Sequence, residues 1–68
     1  MIWVTRLNGE RFVINSDHIE IVEANPDTVI TLTNGDKYIV KESVEEVVEK
    51  VVNFRRRIFA DLFTLDKR

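Results

Sequence analysis

The chain has 68 residues, enough for one small domain with a limited core. It contains no cysteine and a single histidine, His18, which excludes disulfides, thiolate metal sites and histidine-based zinc clusters or catalytic triads. A net charge of -2 argues against general nucleic-acid binding. No apolar run approaches the roughly 20 residues that cross a bilayer, and no signal sequence follows Met1, so we expect a cytoplasmic protein.

Two Asn-Gly pairs between β-rich runs predict two β-hairpins. The pairs are Asn8-Gly9 and Asn34-Gly35, and such pairs favour two-residue type I′ turns because both central positions need a positive φ. The flanking runs are residues 2–7, 10–15, 28–33 and 36–41. With such turns, Thr5 faces Phe12 in the first hairpin, and Thr31 faces Tyr38 in the second.

This register makes both hairpins apolar on both faces near their open ends. One helix covers one face of a sheet, so the other face is expected to curl into a partial barrel or to meet another subunit. The same register places Arg6 opposite Arg11, which like charges resist. That pair is a hint of an acidic partner, or of a bridging glutamate from elsewhere in the fold.

A third strand is predicted between the hairpins, over residues 18–24. Ile19 and Ile21 alternate with Glu20 and Val22, which is the period-2 pattern of a strand. The segment 25–27 is Asn-Pro-Asp, a typical turn. Residues 1–41 are therefore predicted to form a five-stranded antiparallel β-meander.

A long amphipathic helix is predicted to follow, over residues 43–63. Ser43 and Glu46 have the spacing of a capping box, and neither glycine nor proline occurs after Gly35. Apolar residues recur at helical spacing and form one broad stripe. They are Val44, Val47, Val48, Val51, Phe54, Ile58, Phe59 and Leu62. The predicted fold class is α+β, with residues 1–68 in a single domain.

The predicted helix is longer than the predicted strands. About 20 helical residues span roughly 30 Å, whereas strands of about six residues span roughly 20 Å. Residues 44–52 are thus expected to lie on the sheet, and residues 54–63 to project past its edge. The projecting part supplies the candidate interface: Phe54, Arg55, Ile58, Phe59, Leu62 and Phe63.

Three interpretations of this projecting stripe remain open. The helix bends or breaks near Asn53 and folds back onto the core, or it pairs with the helix of another copy, or it docks on a different protein or a membrane surface. A small domain without disulfides or metals gains most from self-association, so we expect a homo-oligomer. Basic residues beside aromatic ones also suit peripheral membrane contact.

Arg55, Arg56 and Arg57 form the one basic run of the sequence. Such a run in the second half of a helix compensates the helix dipole and is solvated. Its functional interpretation is contact with phosphate, acidic lipid or an acidic patch on a partner. No catalytic motif, cofactor motif or metal-ligating cluster is recognisable, so we expect no enzymatic activity and no cofactor.

Several spaced motifs resemble the FlbD/SwrD family of small flagellar proteins. They are TRLNG, INSDHIE, EANPDTVITLTNG and YIVKES, and the resemblance covers residues 1–58. It implies an accessory protein of the flagellar motor, associated with swarming motility and acting on stator or basal-body components. Members of this family are not known as enzymes, and the resemblance supplies no binding residues.

A weaker likeness covers residues 19–52. Its strand, Asn-Gly hairpin and VKESVEEV helix start are similar to the core of LytTR-type DNA-binding domains. The chain lacks the further segments and the basic surface that those domains use for phosphate contact. A small nucleic-acid-binding module is therefore the alternative function.

Overall fold

The computed structural model describes the backbone of residues 1–66 and the side chains of residues 1–60. Its elements, in chain order, are β1 (Ile2–Thr5), β2 (Arg11–Ile14), a short 3-10 helix (Ser16–His18), β3 (Ile19–Ala24), β4 (Thr28–Leu32), β5 (Lys37–Val40) and α1 (Val44–Asp66). Antiparallel strands followed by one helix confirm the predicted α+β class.

Both Asn-Gly hairpins are present, but their turns differ from the predicted type I′ form. The Arg6 N–H donates to the Glu10 carbonyl at 2.7 Å, and the Gly9 N–H donates to the Arg6 carbonyl at 2.9 Å. These bonds close a three-residue loop in which Gly9 alone has a positive φ, of 93°. The Asn8 side chain accepts the Glu10 N–H at 2.9 Å and so holds this longer loop.

The longer loops shift both registers by one residue from the prediction. Val4 lies opposite Phe12 in the first hairpin, and Ile30 lies opposite Tyr38 in the second. A one-residue shift reverses which side chains of one strand share a face of the sheet with those of the partner strand. The predicted pairs Thr5 with Phe12 and Thr31 with Tyr38 are therefore wrong.

The predicted juxtaposition of two arginines fails for the same reason. Arg6 extends over the rings of Phe12 and Tyr38, whereas Arg11 lies over Trp3. The two guanidinium groups thus stack on different aromatic residues. No bridging carboxylate is needed to explain their placement.

The strands form two sheets rather than one five-stranded meander. β1 pairs with β2, and β3 pairs with β4, which pairs with β5. The 3-10 helix Ser16–His18, capped by the Asn15 side chain, redirects the chain between β2 and β3. The sheets are joined by a bridge between Arg6 and Val40 and by a bond of 2.8 Å from the Lys41 N–H to the Thr5 carbonyl. The predicted curl into a partial barrel is not confirmed.

The core lies between the two sheets and the helix, and each of them contributes to it. Its buried side chains are Ile2, Val4, Ile14, Ile30, Val40 and Val47. The outer faces of the sheets also carry apolar residues, as expected from the sequence. Trp3, Val13, Ile21 and Ile39 are all more than 40% exposed there.

The helix begins as predicted and continues further than predicted. The Ser43 hydroxyl accepts the Glu46 N–H, and the Glu46 carboxylate accepts the Ser43 N–H, both at 3.1 Å. α1 is continuous through Asn53 to Asp66, so the interpretation that the helix breaks and folds back there is wrong. A helix of 23 residues is about 35 Å long, and the molecule measures 47 Å along its longest axis.

Candidate interaction surface

The apolar stripe of α1 leaves the cover of the sheets between Phe54 and Ile58. Val47 is fully buried, and Val51 and Phe54 are partly buried against the core. Ile58, one further turn along the same face, is 45% exposed. The stripe keeps its helical spacing past this point, so Ile58 lies beyond the part of the helix that the sheets cover.

The predicted interface residues take different positions. Phe54 contacts the domain's own core, whereas Ile58 and the neighbouring Phe59 are exposed, Phe59 to 63%. The side chains of Leu62 and Phe63 lie outside the described residues. Ile58 and Phe59 together form the helix end.

A second apolar row runs along the flank of the same helix. Val48 and Val52 are 51% and 40% exposed, and they share this flank with Phe59. The prediction that residues 44–52 lie on the sheet does not account for the exposure of this flank. Helix geometry in the sequence indicates it, because Val48 follows the buried Val47 and must point about 100° away from it.

The three consecutive arginines do not form one patch, because successive helical residues point about 100° apart. The Arg55 guanidinium lies 3.7 Å from the Asp17 carboxylate, with both side chains well exposed. Such a surface ion pair contributes little stability. Arg56 is exposed, and Arg57 lies on the opposite flank from Arg55.

Arg57 borders a shallow recess of about 330 Å³ between the helix and the first hairpin. Lys50 and Arg11 also line this recess, together with the exposed Trp3. The described residues that line it include three basic side chains and no carboxylate, so the recess is electropositive. The sequence did not indicate this basic recess, because Arg11 and Lys50 are distant along the chain.

A larger cleft, of about 760 Å³, lies where the inner faces of the two hairpins open towards their turns. The Arg6 guanidinium carbon is 4.2 Å from the centre of the Phe12 ring and 5.7 Å from that of Tyr38. The two rings are themselves 5.5 Å apart. His18 also lines this hairpin cleft, whereas none of the described side chains of α1 does.

No group of three or more histidine, aspartate or glutamate side chains among the described residues is placed to hold a metal ion. None of the described helical residues forms a stretch long and apolar enough to cross a membrane.

Comparison with known proteins identifies the family of this chain. The family model FlbD, described as flagellar and swarming motility proteins, matches residues 1–59. Neither the curated proteins nor the solved structures contain a significant match to the chain. The matched segment includes both hairpins and the helix as far as Phe59. This protein therefore belongs to the FlbD family of flagellar and swarming motility proteins.

Proposed function

We propose that this protein is a non-catalytic interaction protein of the bacterial flagellar motor, which acts at the cytoplasmic face of the motor. Its involvement in flagellar and swarming motility follows from its family. The observation that supports an interaction role is the exposure of Ile58 on a stripe whose earlier members are buried.

The helix end is the contact surface in this proposal. It extends from the sheets on a continuous helix, and the exposed row of Val48 and Val52 adjoins it. Contiguous apolar surface on a small domain is typical of protein interfaces. In this proposal the helix end binds the helix of a second copy of the chain, because a domain of this size without disulfides or metals gains stability from assembly.

The partner of this assembly is a stator or basal-body component with an acidic surface. The basic recess formed by Arg11, Lys50 and Arg57 supports that choice of charge. Opposite charges accelerate encounter and exclude partners of the wrong sign, even where they add little affinity. Arg55 and Arg56 add to the positive charge along the same helix.

The test compares two identical substitutions at sites of nearly equal exposure. Ile58→Asp places a charge on the helix end, and Ile21→Asp places one on the outer face of the three-stranded sheet, where the side chain is 44% exposed. Circular dichroism checks that both variants fold. Light scattering then measures their molar mass, and swarming of a strain that carries each variant as its only copy measures function.

Ile58→Asp is expected to lower the molar mass to that of a monomer and to abolish swarming, while Ile21→Asp does neither. Loss of assembly in Ile21→Asp instead would move the interface to the outer sheet face. A folded Ile58→Asp variant that assembles and supports swarming would refute the helix-end proposal.

A further inference from the structure

We infer that the hairpin cleft binds an extended acidic peptide segment of a partner protein, with a carboxylate next to an apolar side chain. This site is separate from the helix end and goes beyond the function proposed above. Four features of the cleft lead to this ligand: an unpaired cation, the charge of the lining, the volume and a free strand edge.

The cation is Arg6. Its side chain is partly buried and held over the Phe12 and Tyr38 rings, which restricts its conformations before any ligand arrives. Among the described side chains, the one salt bridge joins Arg55 to Asp17, and none involves Arg6. A guanidinium has five N–H donors, and ring stacking leaves those donors available to an anion.

The lining of the cleft has the charge and the apolar surface that such a ligand needs. Arg6 is the cation of the lining, and among the described residues that form it there is no aspartate or glutamate. Apolar surface comes from Phe12, Ile14 and Leu32. The volume of about 760 Å³ suits an organic ligand and far exceeds the needs of an inorganic ion.

The free edge of β2 favours a peptide over a small organic acid. β2 pairs with β1 on one side, and no described strand pairs with its other side. Arg6 and Glu10 form a hydrogen-bonded pair at the end of the β1–β2 ladder. Hydrogen-bonded and non-hydrogen-bonded pairs alternate along an antiparallel ladder, so Trp3 and Val13 form a non-hydrogen-bonded pair. The N–H and C=O of Val13 therefore point away from β1, to the free edge. Val13 also lines the cleft, and an extended peptide can add to such an edge by main-chain bonds.

The probes are three defined compounds, titrated into the ¹⁵N-labelled full chain and followed by NMR. They are acetyl-Val-Glu-Phe-Val-amide, the same peptide with Gln in place of Glu, and 3-phenylpropionate. The Glu peptide is expected to shift the amide signals of Phe12, Val13 and Tyr38. The Gln peptide is expected to bind roughly tenfold more weakly, because it lacks the charge-assisted bond to Arg6.

Two arginine variants form a matched pair, because both side chains stack on aromatic rings of the first hairpin. Arg6→Gln is expected to weaken binding of the Glu peptide roughly tenfold, whereas Arg11→Gln leaves it unchanged. Arg6→Lys keeps the charge and is expected to recover part of the affinity. The unperturbed amide signals of β3 and β4 show that each variant is folded.

Several outcomes would overturn the inference. They are no binding of the Glu peptide at millimolar concentration, equal binding of the Gln peptide, and equal losses from Arg6→Gln and Arg11→Gln. Binding of 3-phenylpropionate as tight as that of the peptide would refute the role of the β2 edge. The helix-end variant Ile58→Asp is expected to bind the Glu peptide normally, so failure of the two proposals can be told apart.

Discussion

The carboxylate of Glu42 accepts two hydrogen bonds from Thr5, a residue 37 positions earlier in the chain. The Thr5 N–H donates to Oε1 at 2.9 Å, and the Thr5 hydroxyl donates to Oε2 at 2.8 Å. Burial by itself raises the pKa of Glu42, but the bonds from Thr5, with a smaller contribution from the Lys50 charge, bring the pKa below its ordinary value. This contact ties the end of β1 to the segment that leads into α1.

Replacing Glu42 with Gln is expected to destabilise the protein in a pH-dependent way. A carboxylate whose pKa is lower in the folded state stabilises the fold at pH values above its unfolded pKa, and this contribution disappears as the pH falls through the folded pKa. At about pH 7, we expect a loss of about 1–2 kcal/mol in the free energy of unfolding. Urea unfolding at about pH 7 and about pH 3 measures it.

The difference between wild type and Glu42→Gln should shrink at the lower pH. Glu23→Gln removes an exposed carboxylate on β3 and is the control for the change in net charge. A difference that stays constant over the whole pH range would show that ionisation of Glu42 does not contribute.

Val47 and Val48 are adjacent on α1 but differ in their surroundings. Val47 is fully buried in the core, whereas Val48 is 51% exposed. Val47→Ala is expected to cost about 2 kcal/mol because it removes buried methyl groups and leaves a cavity. Val48→Ala is expected to change the free energy of unfolding by less than about 0.5 kcal/mol. Similar losses in the two variants would mean that the helix is rotated from the described position.

Gly35 occupies the left-handed region, with a φ of 92°, and a Cβ atom there would meet no atom within 4 Å beyond its two chain neighbours. Gly35→Ala is therefore expected to cost about 1 kcal/mol through backbone strain alone. Gly35→Asn is expected to cost less, because Asn adopts this region more readily than Ala. Thermal unfolding of both variants tests the order, and equal stability of wild type and Gly35→Ala would exclude the positive φ.

The capping box gives a prediction for the start of α1. Ser43→Ala is expected to cost about 1 kcal/mol, and Ser43→Gly only a few tenths, because glycine is itself tolerated as an N-cap. The measurement is the free energy of unfolding in urea, with helix content from circular dichroism. If Ser43→Ala has no effect, the reciprocal bonds between Ser43 and Glu46 do not stabilise the helix start.

Features set by neighbours in sequence were predictable. Asn-Gly pairs between β-rich runs indicated both hairpins, and the Ser43 and Glu46 spacing indicated the helix start. The motifs over residues 1–58 also indicated the family that the FlbD match over residues 1–59 confirms. The predicted interface at the helix end remains a prediction, although the exposure of Ile58 is consistent with it.

Features that depend on the loop geometry were not predictable. The Asn-Gly dipeptide suits two kinds of loop. In a two-residue loop Asn8 has a positive φ, whereas in the observed three-residue loop only Gly9 does, and the Asn8 side chain accepts the Glu10 N–H. That choice shifts the register by one residue and exchanges the faces of a strand. It therefore separated Arg6 from Arg11 and placed Arg6 in the hairpin cleft.

The hairpins, the helix and the apolar stripe are predictable from the sequence, because they depend on turn chemistry, capping and periodicity over a few residues. The division of the strands into two sheets, and the point at which the stripe extends past the sheets, depend on tertiary packing. Tertiary packing also brings Arg11, Lys50 and Arg57 to one recess. The physical reason is that packing between distant segments, such as the contact of Glu42 with Thr5, selects among local geometries of similar energy.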